Sequence, residues 1–225
     1  MSVAPAPAPL ELQKAFEPPA SAEAVRAALG ASDAQMADLN AYRGLLAEWN
    51  DQMNLVGPSA LAQFWPRHAY DSAQLLALAP DAKIWADIGA GAGFPGVVLA
   101  IFLKDRPGAK VHLVESLAKR CRFLSAVVEA LALPAEVHNA RAEDLSLTVD
   151  IVTARAVAPL VKLLEYGRPY LSRGATGLFL KGQDVGSELT EATRYWKFEA
   201  HLTQSLSHTE GRILQVKGLK RVHKV

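Results

Sequence analysis

Glycines at positions 89, 91, 93 and 96 break the apolar stretch Ile84-Trp-Ala-Asp-Ile-Gly-Ala-Gly-Ala-Gly-Phe-Pro-Gly96. No other segment limits the possible folds as strongly. An apolar strand runs into Asp87, the backbone turns on glycine, and a second apolar run follows from Val97 to Leu103. Glycine reaches positive φ at no steric cost and lets a ligand approach the backbone. Strand, glycine turn and helix in that order build a shelf at the carboxyl edge of a parallel sheet, where nucleotide-containing ligands bind. Dinucleotides and S-adenosylmethionine both use such a shelf.

The rest of the chain extends this unit. Strands are expected at 84–88, 111–114, 135–138, 150–154 and 176–180, with helices between them at 95–104, 118–132 and 159–171. This alternation implies crossover connections and a mostly parallel sheet. A polar helix near 185–196 follows, then two strand-like runs at 198–206 and 212–217. His208-Thr-Glu-Gly211 joins them as a hairpin turn. Upstream, a short helix over 21–29 ends at Gly30. Ser32 with Gln35 forms a capping box for an amphipathic helix over 33–53, which carries Met36, Leu39, Leu46, Trp49 and Met53 at helical spacing. Asn54-Leu-Val-Gly-Pro58 breaks that helix, and Pro66 suits the first turn of another, which carries His68 and Asp71. The expected organisation is a disordered Ala/Pro tail over 1–9, a helical N-terminal extension over 10–80, an α/β domain over 81–217 and a basic C-terminal tail over 218–225.

Composition narrows the function. The net charge is +1, so global charge announces no nucleic-acid partner, although the last fourteen residues hold five cations and no acid. A solvated tail or an anionic partner accounts for such a terminus. The single cysteine, Cys121, excludes an internal disulfide and a cysteine-cluster zinc site, and no metal ligand set is read from the sequence. No stretch is long and apolar enough for a membrane span, and the Ala/Pro start lacks the basic leader and apolar core of a secretory signal. A cytoplasmic setting is expected.

Gly91-Ala-Gly93-Phe-Pro-Gly96, with Glu115 beyond it, formally meets the dinucleotide fingerprint, a weak match by itself. The apolar-Asp-apolar-Gly-x-Gly-x-Gly pattern around Asp87 favours S-adenosylmethionine. So does Phe94-Pro95, which sits where a pyrophosphate would approach the helix N-terminus. Asp87 is expected either to fix the glycine loop or to meet the ligand's amino-acid part. Glu115 ends the second strand, where a carboxylate can accept both ribose hydroxyls. Ala142-Glu143 follows the third strand, beside the expected adenine site; a helix N-terminal acid is the rival reading for Glu143. Arg155 ends the fourth strand, and Lys181-Gly182-Gln183 ends the fifth. Arg155 suits a methionine carboxylate or an RNA phosphate.

Taken together, these residues resemble the small-subunit ribosomal RNA guanine-N7 methyltransferases, also known as glucose-inhibited division protein B or ribosomal small subunit methyltransferase G. The resemblance runs from about Trp49 to Lys217. Its motifs are Trp49-Asn50 with Asn54-Leu55, Arg67-His68-x-x-Asp71-Ser72, Asp87 to Gly96, Glu115-Ser116-x-x-Lys119-Arg120-x-Arg122-Phe123-Leu124, Arg141-Ala-Glu143, Arg155-Ala156 and Leu180-Lys-Gly-Gln183. It implies an α/β fold of the Rossmann-like class I S-adenosylmethionine-dependent methyltransferase type, with a mostly parallel sheet, a C-terminal antiparallel hairpin and an N-terminal helical extension. The implied activity is methyl transfer from S-adenosylmethionine to a guanine N7 of 16S ribosomal RNA, in the small-subunit loop near the decoding site. The donor would be bound by Gly89, Gly91, Phe94, Glu115, Ala142, Glu143 and Arg155.

Guanine N7 is an unprotonated ring nitrogen with an in-plane lone pair. Alignment and exclusion of water can therefore carry the reaction, and no general base is expected. Candidates for RNA contact are Arg67, His68, Lys119, Arg120, Arg122 and Lys181. Lys119, Arg120 and Arg122 open a helix, where the dipole mildly disfavours cations; phosphate binding and a solvated face both account for them. His68 and Asp71 lie about one helical turn apart and can pair as a link between the helical extension and the α/β core; a catalytic dyad is the less favoured reading, since the reaction needs no base. A monomer acting on 16S ribosomal RNA in the small subunit or its assembly intermediate is expected, with no membrane partner.

Overall fold

Ile84–Ile88 is buried on both faces from Trp85 onward, as a central parallel strand requires, and forms β1. The computed structural model describes residues 18–222; the Ala/Pro stretch at 1–9 and the last three residues lie outside that range. The remaining strands are β2 (Lys110–Glu115), β3 (Ala135–Asn139), β4 (Ile151–Arg155), β5 (Thr176–Lys181), β6 (Trp196–Gln204) and β7 (Arg212–Arg221). They form one sheet in the order β3-β2-β1-β4-β5-β7-β6. The first five run parallel, and β7 lies antiparallel to both β5 and β6. Strand order reverses direction between β1 and β4, and ligands of open α/β sheets bind at such a switch point.

Helices α1 (Ala22–Leu29), α2 (Asp33–Met53) and α3 (Pro58–Ala62) precede the sheet. The Ser32–Gln35 capping box is present, and Asn54 closes α2 in the left-handed conformation. Pro66 does not open a helix. It falls inside a π-helical segment, Phe64–Tyr70, followed by the short turns α4 (Asp71–Ala73) and α5 (Leu75–Leu78). The crossover helices are α6 (Gly96–Leu103), α7 (Ala118–Ala130) and α8 (Leu160–Leu171), with α9 (Val185–Ala192) before the hairpin. The hairpin differs from the expected spans at both ends. α9 stops at Ala192, β6 begins at Trp196, and β7 continues to Arg221, so Lys220 and Arg221 belong to the sheet rather than to a tail.

Two cores cover the two faces of the sheet. One joins α2, the π-helical segment, α6 and α7 to the face bearing Trp85, Val111 and Leu113. The other packs α8 and Trp196 on the face bearing Ala86, Ile88 and Val114. α6 is apolar nearly all round and correspondingly buried on almost every side. The helical segment upstream of the sheet therefore shares a core with the α/β layer.

Candidate active site

The glycine turn is held from three directions. Gly89, Gly91 and Gly93 have φ of 71°, 58° and 96°. Buried Asp87 accepts a hydrogen bond from the Gly96 amide at 2.8 Å through Oδ2. Glu115 accepts from the Gly91 amide at 3.0 Å and from the Leu117 amide at 2.8 Å. The Tyr42 hydroxyl of α2 donates to the Ala92 carbonyl. Close approach explains the glycines at both ends of the turn. A Cβ on Gly89 would lie 2.7 Å from Val157 Cγ2, and one on Gly96 would lie 2.3 Å from Leu113 Cδ2 and 2.7 Å from Asp87 Oδ2. Asp87 thus fixes the loop, one of its two expected roles. Its burial pushes its carboxyl up to about 7, against the Gly96 hydrogen bond and the positive charge of Arg155.

Two clefts open at the carboxyl edge of the sheet. The smaller, about 240 Å³, is lined by residues that include Gly89, Val114, Ser116, Ala140 to Glu143, Val157 and Tyr166. Its wall at Ala142 is braced by the Tyr170 hydroxyl, which donates to the Ala142 carbonyl at 3.0 Å. The larger, about 580 Å³, is bounded by Arg67, His68, Asp71, Arg155, Lys181 and the hairpin turn around His208 to Arg212. Ala156, at the end of β4, lines the larger cleft and Val157 the smaller. Ala156 has φ of 53°, strained backbone for a residue with a Cβ.

The expected site residues divide between these clefts and the structure behind them. Gly89, Ala142 and Glu143 line the smaller cleft. Gly91 and Glu115 bind each other at the turn, so the Glu115 carboxylate already carries two backbone amides. Phe94 and Arg155 are not among the residues lining the smaller cleft. The Phe94 ring is buried against Tyr42, Phe64 and His68, and the Arg155 guanidinium carbon sits 4.8 Å from its centroid. Arg155 donates to the Arg67 carbonyl at 2.7 Å and lies 3.8 Å from Asp71 Oδ2.

His68 and Asp71 do not pair. Hydrogen bonds in a π-helix span five residues, so the three-residue spacing that stacks side chains on an α-helix does not hold here. His68 instead stacks on Phe94, with centroids 4.6 Å apart, and neither ring nitrogen has a partner among the described residues. Burial, reinforced by Arg155, pushes its pKa down to about 3, so the ring is neutral. Asp71 Oδ1 accepts from Gln74, Ser205 and Ser207, tying the π-helical region to the hairpin.

Among the basic candidates, Lys181 is bound to Glu188 and largely buried, and Arg120 is 3.6 Å from Glu115. Lys119 and Arg122 are exposed and form no ion pair among the described residues. Sequence reasoning missed Tyr42, Ser205, Ser207, Val157 and Tyr166. Tyr42 carried a signal, since it lies between Leu39 and Leu46 at helical spacing; the others become neighbours of the site only through long-range packing.

The family model described as GidB, rRNA small subunit methyltransferase G, matches residues 35–220. The chain belongs to the rRNA small subunit methyltransferase G family. The matched stretch of this family takes in both clefts and nearly all of α2. Among its curated members, the Ribosomal RNA small subunit methyltransferase G of Caulobacter sp. (strain K31) is 65% identical over 207 residues, covering 92% of this chain and 94% of its own length. That of Caulobacter vibrioides (strain NA1000 / CB15N) is 61% identical over 212 residues, covering 94% and 98%. Among solved structures, the O-methyltransferase TomG from Streptomyces achromogenes, in complex with SAM, aligns with a TM-score of 0.54 at 17% identity, over 84% of this chain and 91% of its own. A SAM-dependent methyltransferase from Aquifex aeolicus aligns at 0.52 and 15% identity, over 77% and 97%. These structural likenesses bear out the Rossmann-like fold expected of the family.

Proposed function

We propose that this chain transfers the methyl group of S-adenosylmethionine to N7 of a guanine in 16S ribosomal RNA, in the small-subunit loop near the decoding site. The observation that carries the reading is the cradle at Gly89. A glycine at positive φ, with no room for a Cβ beside Val157, faces a cleft walled by Ala142 and Glu143 at the sheet's switch point. The family name borne by the curated relatives supports the substrate.

The residues present fit the donor. The cleft offers apolar walls at Ile88, Val114, Ala142 and Val157 for a purine and polar groups at Ser116 and Glu143. Gly89 and Gly91 would give its amino-acid and ribose parts close access to the backbone, and Glu115, held at the turn, would meet the ribose with its remaining lone pairs. When bound, the donor supplies an electrophilic methyl group on a sulfonium. Phe94 and Arg155 support the cradle from behind rather than contacting the ligand.

The larger cleft would receive the target guanine. Arg67 and His68 line it, and Arg67 Nη1 and both His68 ring nitrogens are buried without a partner among the described residues; they would bond to the substrate once the wall around them opens. Neutral His68 offers an acceptor as well as a donor. None of these groups has to remove a proton, because the attacking nitrogen carries none. The charged groups there would instead orient the base through its O6 and its backbone phosphates. Lys119 and Arg122 would hold the flanking RNA. The protein is read as a cytoplasmic monomer working on 16S ribosomal RNA within the small subunit or its assembly intermediate. No helix among the described residues is long and apolar enough to cross a membrane.

The test is incubation of the purified chain with labelled S-adenosylmethionine and small ribosomal subunits lacking the modification, followed by mapping of N7-methylguanine. A single modified guanine in 16S ribosomal RNA is expected. No label in the subunits or in their RNA overturns the assignment.

A further inference from the structure

The edge of the sheet away from the hairpin carries a second constellation. His112 on β2 is in register with Glu136 on β3, and Val114 with His138, so His112, Glu136 and His138 project from one face. His112 Nδ1 and His138 Nε2 are 2.9 Å apart. Each of these two nitrogens also faces the same carboxylate, with Glu136 Oε2 4.0 Å from His112 and Oε1 3.8 Å from His138. The imidazoles are 10% and 15% exposed, whereas Glu136 is half exposed.

We propose that His112, Glu136 and His138 form a binding site for one divalent transition-metal ion of the zinc class. One proton between the two rings satisfies a single N–H···N contact and leaves the carboxylate without a bond to either ring. A metal ion satisfies all three groups together. Two imidazole nitrogens each about 2.0–2.1 Å from a tetrahedral zinc ion lie about 3.3–3.4 Å apart, so the rings part by about 0.4–0.5 Å from the observed separation to admit the ion. The half-exposed Glu136 carboxylate would complete the set by swinging toward the ion. Two nitrogens and one oxygen suit zinc, cobalt or nickel, whereas calcium and magnesium prefer oxygen throughout.

Lys110 Nζ is paired with Glu136 in the described state and competes for the same oxygen. His138 is followed by Asn139, whose side-chain amide donates to the carbonyls of Glu115 and Ser116, and then by the Ala140 to Glu143 wall. A bound ion therefore fastens the edge strand to β2 close to the smaller cleft.

The test uses the untagged full-length chain stripped with a chelator. It is titrated with Co²⁺ by visible absorption and with Zn²⁺ by calorimetry. One ion per chain is expected. His138→Asn and Glu136→Gln should each weaken binding by at least about tenfold, since outer-shell changes alone cost 10–100-fold. Lys110→Gln should tighten it by freeing the carboxylate, and the exposed His201→Asn should leave it unchanged. Circular dichroism establishes that each variant is folded. Absence of saturable binding, or wild-type affinity in either folded His138→Asn or Glu136→Gln, overturns the site. Because the readout is metal affinity, its failure leaves the methyl-transfer reading untouched.

Discussion

Burial acts in opposite directions on the two titratable side chains behind the glycine turn. Asp87 ionises near 3.8 when exposed and near 7 when folded. Its penalty is absent below the lower value and grows as pH rises to the upper one. His68 titrates near 6.5 when exposed and near 3 when folded. Its penalty is absent above the higher value and grows as pH falls toward the lower. Between about pH 4 and 6.5 the two oppose each other, which masks both in the wild type. Asp87→Asn should leave the His68 effect unopposed, so that stability rises with pH between about 4 and 6.5. His68→Phe, which keeps the stack on Phe94, should leave the Asp87 effect unopposed, so that stability falls as pH rises over the same range. Urea unfolding across this range measures both slopes; parallel wild-type and variant curves would contradict the assignment. Sterics give a third expectation. Gly96→Ala forces a methyl group against Leu113 and Asp87 and should cost about 1–3 kcal/mol in the same assay, while Gly89→Val should abolish S-adenosylmethionine binding in calorimetry. The glycine requirement was legible in the sequence because φ and Cβ clearance are local. The direction of Phe94 was not, since an aromatic beside a glycine turn faces ligand or core according to what packs behind it, here Tyr42 and Phe64 from distant segments.

Strands and crossover helices were legible because each repeats a period in its own residues: continuous burial in β1, helical spacing of Cys121, Leu124 and Val127 in α7. The π-helical segment was not. It has no periodic signature in its own residues, and Phe64 and Ala69 are buried against distant segments. β7 extends past 217 because Leu219 is buried against the α8 layer; its flanking cations disguised it as a tail. Elements far apart in sequence meet at Asp71, which pairs with Arg155 and collects hydroxyls from Ser205 and Ser207. Asp71→Ala leaves a largely buried guanidinium without its anion and should cost about 3–5 kcal/mol. Asp71→Asn, which can keep the hydroxyl contacts, should cost less. An equal loss in the two variants would assign the effect to the charge facing Arg155 rather than to the hydrogen bonds.

At the scale of the whole molecule, a net charge of +1 supplies little long-range attraction for a polyanion. RNA affinity must then rest on where the cations stand. Lys181 is neutralised by Glu188, Arg120 lies against Glu115, and Arg155 at the larger cleft faces Asp71 and the Arg67 carbonyl. Besides Arg67 at the larger cleft, Lys119 and Arg122 remain, both exposed in the first two turns of α7, next to the strand end that carries Glu115. A helix N-terminus repels cations slightly, so their placement favours contact with phosphate over local stability. Each phosphate neutralised contributes about 0.7–0.9 to the slope of log affinity against log salt. Lys119→Ala with Arg122→Ala should therefore weaken binding to 16S ribosomal RNA and flatten that slope by about 1.5. S-adenosylmethionine affinity should stay as it is, because neither side chain lines the smaller cleft. An unchanged salt slope would place the RNA elsewhere and return both residues to the role of a solvated helix face. A fall in donor affinity with the slope intact would mean instead that the first turn of α7 supports the Glu115 corner of the cradle.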